Sequence, residues 1–134
     1  MGQEKSLYYK MDQQESVNLF IDLIFPHIQE CKMVLLQGDL GAGKTTIVKY
    51  IAQKLRIKDN ITSPSFSYMK TYPGLVHIDL YNYKGDLDEF EDYFEDNIVA
   101  IEWSNLKKLA YQQYVLIDIK FNNDKRDYQS WVVK

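Results

Sequence analysis

Cysteine and long apolar runs are scarce in this chain of 134 residues. The single cysteine, Cys31, excludes an internal disulfide and a zinc site built from several cysteines. No apolar run reaches the roughly 18 residues that a membrane-spanning helix needs. Residues 1–10 also lack the basic-then-apolar order of a signal peptide. These absences predict a cytoplasmic protein that does not bind membranes.

Positive charge is not in excess either. The chain has 16 Lys and Arg residues against 19 Asp and Glu residues, a formal net charge of −3, and only two arginines, Arg56 and Arg126. General electrostatic binding of nucleic acid needs a basic face. We therefore expect no DNA binding and no broad electrostatic attachment to RNA, although a local basic patch is compatible with these totals.

Length and composition predict one compact domain over residues 1–134. Hydrophobic residues make up 46% of the chain, enough for a core, and no repeat or Pro/Gly/Ser-rich linker divides it. A short edge strand is predicted at Ser6–Lys10, followed by a helix that opens with a capping box at Asp12 and Glu15. Apolar residues then recur at helical spacing, and Pro26 should end or kink this helix near its C-terminus.

Short apolar runs predict the strands of a sheet. Met33–Leu36 is continuously apolar, as expected of a strand buried on both faces, and Ile98–Ile101 has the same character. Further strands are predicted at 67–71, 76–79, 115–121 and 128–133, with a polar turn at 122–127 that makes the last two an antiparallel hairpin. The pattern predicts an α/β fold, in which helices flank a central parallel sheet with antiparallel strands at its edges.

A glycine-rich segment directly after Met33–Leu36 matches the phosphate-binding pattern G-x-x-x-x-G-K-[ST]. It reads Gly38-Asp39-Leu40-Gly41-Ala42-Gly43-Lys44-Thr45, and Thr46 follows it. The glycines let backbone N–H groups turn toward one anion, and the helix predicted after the loop adds its positive N-terminal end. Lys44 would approach the β- and γ-phosphates, and Thr45 would bind Mg²⁺ through its hydroxyl. The segment predicts a single P-loop NTPase-like domain that binds ATP and Mg²⁺.

Two carboxylates stand at the ends of predicted strands, Asp79 and Glu102. Glu102 follows the longer apolar run, which favours it for Mg²⁺, and Asp79 is then assigned to the attacking water or to sensing the γ-phosphate. The alternative for each is a solvated acid at a strand end. His77 is either a functional polar group or a satisfied, half-buried histidine.

The acidic stretch Asp86–Asp96 carries seven carboxylates in eleven residues. Such a run is either a solvated face or a docking surface for a basic partner. The sequence leaves both interpretations open.

Four separated segments together resemble the TsaE (YjeE) family of ATPases of bacterial tRNA threonylcarbamoyladenosine synthesis. The phosphate loop has that family's form. Ser-Pro-Ser-Phe at 63–66 resembles its first switch, His-Ile-Asp-Leu-Tyr at 77–81 its second switch, and Ile-Glu-Trp at 101–103 its Walker B element. Ser65 stands where the family usually has threonine. Asn82 stands where it usually has arginine, which removes a cation from the second switch.

The resemblance implies an accessory ATPase that resets or activates the TsaB–TsaD heterodimer. That pair transfers a threonylcarbamoyl group to the adenosine 3′ of the anticodon, so tRNA would be met indirectly through the complex. By the same resemblance Thr45 and Glu102 hold Mg²⁺, Asp79 and Lys44 act in hydrolysis, and Trp103 supports either the nucleotide site or the partner interface. The switch residues would be Ser65, His77 and Tyr81.

The scarcity of arginine bears on the rate of hydrolysis. Arg56 is predicted beyond the helix that follows the phosphate loop, and Arg126 in the terminal turn, so neither is expected near the phosphates. An arginine finger accelerates phosphoryl transfer by about 10³–10⁵-fold. Its absence predicts slow hydrolysis by the isolated chain and stimulation by its partners.

Three other functions compete with this reading. A small-molecule kinase is disfavoured because no lid segment and few arginines are present. A GTPase is disfavoured because no N-K-x-D base-reading segment occurs. A nucleotide-gated binding module, in which hydrolysis is incidental, stays open.

Overall fold

The structure, a computed structural model, describes residues 4–5, 17–38, 43–64, 67–106, 109–122 and 125–134. The predicted edge strand at 6–10 and the predicted capping box at Asp12 and Glu15 lie outside these residues. A two-residue strand, β1 (Glu4–Lys5), pairs antiparallel at one edge of the sheet. None of the described helices is both long enough and apolar enough to cross a membrane.

The first helix, α1 (Val17–Cys31), forms where the helical spacing of apolar residues predicts it. That spacing places the apolar side chains on one face, which packs on the sheet. The fully buried residues are Val17, Phe20, Ile21, Ile24 and Ile28. Pro26 does not end the helix, which continues to Cys31. Pro26 lies on the exposed side, and the buried stripe on the other side continues past it to Ile28.

The remaining strands make the sheet that the sequence predicts. They are β2 (Met33–Gly38), β3 (Met69–Tyr72), β4 (Leu75–Asp79), β5 (Ile98–Glu102), β6 (Tyr114–Asn122) and β7 (Lys125–Val133). Within the described residues the sheet has seven strands in the order β1-β7-β6-β2-β5-β4-β3. The four central strands β4, β5, β2 and β6 are parallel, and β3, β7 and β1 pair antiparallel. The predicted fold class is confirmed.

Several strand boundaries differ from the prediction by one to three residues, and two of the differences have a clear cause. The strand predicted at 67–71 begins only at Met69, because Tyr68 has a left-handed backbone with φ of 62°. The polar turn predicted at 122–127 is too long, since Asn122 already pairs with Lys125 and the β6–β7 ladder runs almost to the tip of the hairpin. Polar residues there extend the two strands.

Helices cover one face of the sheet and a shorter element covers part of the other. The second helix, α2 (Lys44–Lys54), lies beside α1, with Asp22 and Lys54 forming an ion pair between them. On the opposite face a 3₁₀ helix, Leu87–Tyr93, buries Leu87 and Phe90. Because β2, β4 and β5 run parallel, their carboxyl ends lie at the same edge of the sheet, where α2 begins.

The acidic stretch is built around that 3₁₀ helix. Its apolar residues face the core while its carboxylates are exposed. The hydroxyl of Tyr83 donates to the carboxylate of Glu89. Burial, together with that hydrogen bond, raises the pKa of Tyr83 above its ordinary value. These exposures fit the solvated-face interpretation, and docking of a basic partner stays a hypothesis.

Candidate functional site

The carboxyl ends of β4 and β5 and the N-terminus of α2 border one cleft of about 320 Å³. Parallel strands end at the same edge of a sheet, so residues far apart in the sequence meet there. The cleft is lined by Gly43, Lys44, Thr45, Thr46, Ser63, Asp79, Glu102, Trp103 and Arg126. The predicted site residues that lie outside the described part of the chain are Asp39, Leu40, Gly41, Ala42 and Ser65.

Lys44 places a nearly buried cation in this cleft. Its side chain follows Gly43, whose φ of 110° lies in the left-handed region that glycine adopts without steric cost. The Lys44 Nζ donates to the carbonyl of Gly38 at 2.7 Å and lies 3.9 Å from the centroid of the Trp103 ring. Lys44 is only 4% exposed. A buried ammonium is stable only with acceptors around it, and a phosphate oxygen is a strong acceptor.

Thr45 and Glu102 form the part of the cleft that suits a divalent cation. The Thr45 hydroxyl lies within hydrogen-bonding distance of both carboxylate oxygens of Glu102, 3.0 Å from Oε1 and 2.8 Å from Oε2. Hydroxyl and carboxylate oxygens are the hard ligands that Mg²⁺ prefers, with water and phosphate oxygens completing its octahedron. These two residues therefore fit a Mg²⁺ ion that is bound directly by the Thr45 hydroxyl, with the Glu102 carboxylate hydrogen-bonded to the ligands of the ion.

His77 positions Glu102 from the neighbouring strand. It is fully buried within β4, and its Nε2 lies 2.5 Å from Oε2 of Glu102, which is itself 3% exposed. Its Nδ1 has no hydrogen-bond partner among the described residues. The sequence allows two interpretations of His77, a functional polar group or a half-buried histidine whose hydrogen bonds are satisfied. The structure shows a fully buried histidine bonded to the predicted metal-site carboxylate, and its assignment as a switch residue stays a prediction.

We expect His77→Leu to lower the free energy of unfolding by about 1–3 kcal/mol, because a buried carboxylate that also contacts the Thr45 hydroxyl would lose the hydrogen bond from His77. Urea denaturation measures this loss. The matched control is the same substitution in a Glu102→Gln background, where no charge is left unpaired, and there the cost should be clearly smaller. An equal cost in both backgrounds would show that the charge of Glu102 does not contribute to the loss.

Asp79, at the end of β4, connects the two predicted switch segments. Its Oδ2 accepts from the hydroxyl of Ser63 at 3.1 Å, and its Oδ1 accepts from the backbone N–H of Tyr81 at 2.9 Å. The first switch segment and the second are thus tied to one carboxylate that lines the cleft. Any movement of Asp79 toward a ligand would therefore break or displace its hydrogen bonds to both segments.

Trp103 carries an unusual backbone conformation beside the cleft. Its φ of 59° is left-handed, which is rare for a bulky residue and occurs mainly at turns and functional sites. The ring packs on Tyr81, with centroids 5.1 Å apart, and on the Lys44 ammonium. The conformation directs the indole back over the start of α2, so Trp103 joins the phosphate loop to the second switch segment.

Asn82, which stands where the TsaE family usually has arginine, occupies an exposed turn. Its φ is 63°, and asparagine adopts the left-handed region more readily than most non-glycine residues. Asparagine therefore suits the backbone of the second switch segment here. Asn82 is not among the residues that line the cleft.

Arg126 is the residue that the sequence-based interpretation placed wrongly. It was predicted in a remote terminal turn, but it lies in β7 and lines the cleft with Lys44 and Asp79. Its Nε is 3.6 Å from the position that a Cβ on Gly43 would occupy. The inference that no arginine lies near the phosphate site is wrong, because the long β6–β7 ladder carries Arg126 to the phosphate loop.

Comparisons with known proteins agree with the geometry. The family model of the threonylcarbamoyl adenosine biosynthesis protein TsaE matches residues 11–129. A tRNA threonylcarbamoyladenosine biosynthesis protein TsaE from Streptomyces coelicolor is 36% identical over 86 residues, which are 56% of this chain and 58% of that protein. The TsaE protein of Haemophilus influenzae is 33% identical over 77% of this chain and 72% of its own length.

The same comparisons extend to other bacteria and to a solved structure. The TsaE protein of Nostoc is 34% identical over 81% of this chain and 72% of its own length. The crystal structure of Bacillus subtilis YdiB superposes with a TM-score of 0.70 and 26% identity, covering 98% of this chain and 88% of YdiB. The chain belongs to the TsaE family of tRNA threonylcarbamoyladenosine biosynthesis.

Proposed function

We propose that the chain binds ATP and Mg²⁺ in the cleft at the start of α2 and hydrolyses ATP there. The observation that carries this proposal is the convergence of three groups: the nearly buried ammonium of Lys44, the Thr45–Glu102 pair and the carboxylate of Asp79. Lys44 would bind phosphate, the Thr45–Glu102 pair would supply oxygen ligands for the metal ion, and Asp79 would act as a base toward water. Their arrangement around one helix N-terminus is what phosphoryl transfer requires.

Each group has a role in the hydrolysis. Lys44 and the helix N-terminus hold the phosphates, and Thr45 contributes an oxygen to the metal site with Glu102 behind it. Mg²⁺, when bound, neutralises charge on the β- and γ-phosphates. Asp79 accepts a hydrogen bond from the attacking water. The water oxygen attacks the γ-phosphorus as the bond to the β,γ-bridging oxygen breaks. The water passes a proton through Asp79 to solvent, which leaves ADP and inorganic phosphate.

The hydrolysis would serve the modification of tRNA by other proteins. We propose that the chain resets or activates the TsaB–TsaD heterodimer between turnovers and meets tRNA only through that complex. The family membership supports this role, and the exposed acidic stretch is the surface that would suit a basic patch on a partner. The prediction of slow hydrolysis in isolation loses its basis, since it depended on the absence of an arginine near the phosphates and Arg126 lines the cleft.

Glu102→Gln tests the metal site separately from the nucleotide site. Residues behind a metal ligand typically contribute a factor of about 10–100 to metal affinity. We expect the Mg²⁺ concentration for half-maximal hydrolysis to rise by about 10–100-fold in this variant. Binding of ATP in the absence of Mg²⁺ should stay near the wild-type value. An unchanged Mg²⁺ requirement would exclude Glu102 from the metal site.

The nucleotide-gated module is the second candidate, favoured by the contacts of Asp79 with Ser63 and Tyr81. In this account ATP orders the switch segments and creates a docking surface, and cleavage is incidental. A non-hydrolysable ATP analogue separates the two functions in a tRNA modification assay with TsaB–TsaD. Repeated rounds of modification with the analogue would favour the module. A single round followed by a stop would support hydrolysis as the working step.

A further inference from the structure

Arg126 reaches the cleft from the side of the sheet opposite to the two carboxylates. In the strand order β7-β6-β2-β5-β4, Asp79 and Glu102 end the strands on one side of β2. Arg126 belongs to β7, on the other side of β2. The guanidinium and the carboxylates therefore flank the start of α2 from opposite directions.

The register of the hairpin explains why the side chain faces α2. The neighbours of Arg126 at alternate positions of β7, Tyr128, Ser130 and Val132, are all buried, and Tyr128 packs on Phe20 of α1. Because alternate residues of a strand share a face, Arg126 lies on the face that carries both helices.

The hairpin also carries Arg126 past the end of β2. Gly38, the last residue of β2, is level with Ile119 of β6, whereas Arg126 is level with Phe121, two residues further along β6. The strand therefore presents Arg126 beyond the end of β2, with its Nε close to Gly43.

We infer that Arg126 binds the α- and β-phosphates of ATP from within the same chain, an inference that rests on the proposed nucleotide site. The Thr45–Glu102 pair and Asp79 occupy the side of the cleft where Mg²⁺ and the γ-phosphate are expected. Arg126 stands on the other side, where the rest of the nucleotide leaves the loop. Its planar guanidinium donates in a fork that matches phosphate oxygens. Because ADP retains both of these phosphates, Arg126 binds ATP and ADP alike.

The test compares Arg126→Gln with Arg56→Gln, which removes the other arginine of the chain from an exposed position outside the cleft. Titration calorimetry with ATP and with ADP, at fixed Mg²⁺, gives the affinities. A charged hydrogen bond contributes about 1.5–3 kcal/mol, so we expect Arg126→Gln to weaken both nucleotides by about 10–100-fold. Arg56→Gln should leave both affinities unchanged. Arg126→Lys, which keeps the charge without the fork, should fall between wild type and Arg126→Gln.

Each outcome decides the inference. Unchanged affinities in Arg126→Gln would overturn it, and a loss confined to ATP would contradict the assignment to the α- and β-phosphates. Should Arg126→Gln not fold, as judged by its thermal melt, Arg126→Lys carries the comparison. Lys44→Ala separates this inference from the proposed function. If wild type binds ATP, Lys44→Ala binds it about 10–100-fold more weakly, and Arg126→Gln binds like wild type, only the role of Arg126 is wrong.

Discussion

Lys44→Ala should lower kcat/KM for ATP hydrolysis by about 10³-fold or more, the largest effect expected of any single substitution in this chain. In the proposed mechanism, Lys44 contributes both to the binding of ATP and to the stabilisation of the transition state. Losing one charged hydrogen bond to the phosphates weakens ATP binding by about 10–100-fold. Losing a preorganised donor to the charge of the transition state costs about 10²–10³ in kcat.

The control for this variant is Lys49→Ala, which removes an exposed lysine from the same helix. Fluorescence titration with an ATP analogue and a steady-state hydrolysis assay give affinity and rate. Lys44→Ala should fold normally, since it removes a charge whose burial is costly in the free protein. A Lys44→Ala chain that hydrolysed ATP as fast as Lys49→Ala would show that the reaction takes place elsewhere.

Asp79→Asn should lower kcat by about 10²–10⁴-fold while leaving the affinity for ATP near the wild-type value. In the proposed mechanism, the Asp79 carboxylate accepts a hydrogen bond from the attacking water, while Glu102 belongs to the metal site. Asparagine keeps the size of the side chain and the oxygen that accepts from Tyr81, so the turn after β4 should persist. The effect is therefore a rate effect and not a binding effect.

Single-turnover hydrolysis with excess enzyme, next to equilibrium ATP binding, separates these two effects. Ser63→Ala is the companion variant, because it removes the hydroxyl that donates to Asp79 and leaves the carboxylate in place. Its rate should fall far less than that of Asp79→Asn. If Asp79→Asn kept the wild-type rate, Asp79 would be a structural cap of the turn, and another group would have to orient the water.

The phosphate loop and the strand-end acids were predictable because each depends on local sequence. A glycine-rich run between a buried strand and a helix positions its own backbone, so Lys44 and Thr45 follow from their places in the pattern. Asp79 and Glu102 follow from the rule that buried parallel strands end at one edge. The fold class was predictable for the same reason. Short apolar runs of strand length alternate along the chain with segments in which apolar residues recur at helical spacing.

Arg126 and the His77–Glu102 contact were not predictable, because both depend on strand pairing. The position of Arg126 is set by the register of β6 against β2 and of β7 against β6, and a polar hairpin gives little sign of how far its ladder extends. The alternation of Tyr128, Ser130 and Val132 was the one available signal that Arg126 shares their face. His77 meets Glu102 because β4 and β5 are neighbours, a fact that strand patterns alone do not contain.

We propose that the cleft at the start of α2 hydrolyses ATP and that this hydrolysis supports partner proteins. The decisive experiment is steady-state ATP hydrolysis by the purified chain, alone and with TsaB–TsaD, with Lys44→Ala as the blank. We expect activity above the blank that rises clearly when TsaB–TsaD is added. Activity equal to that of Lys44→Ala under both conditions, from a chain that is folded by thermal melt, would contradict it.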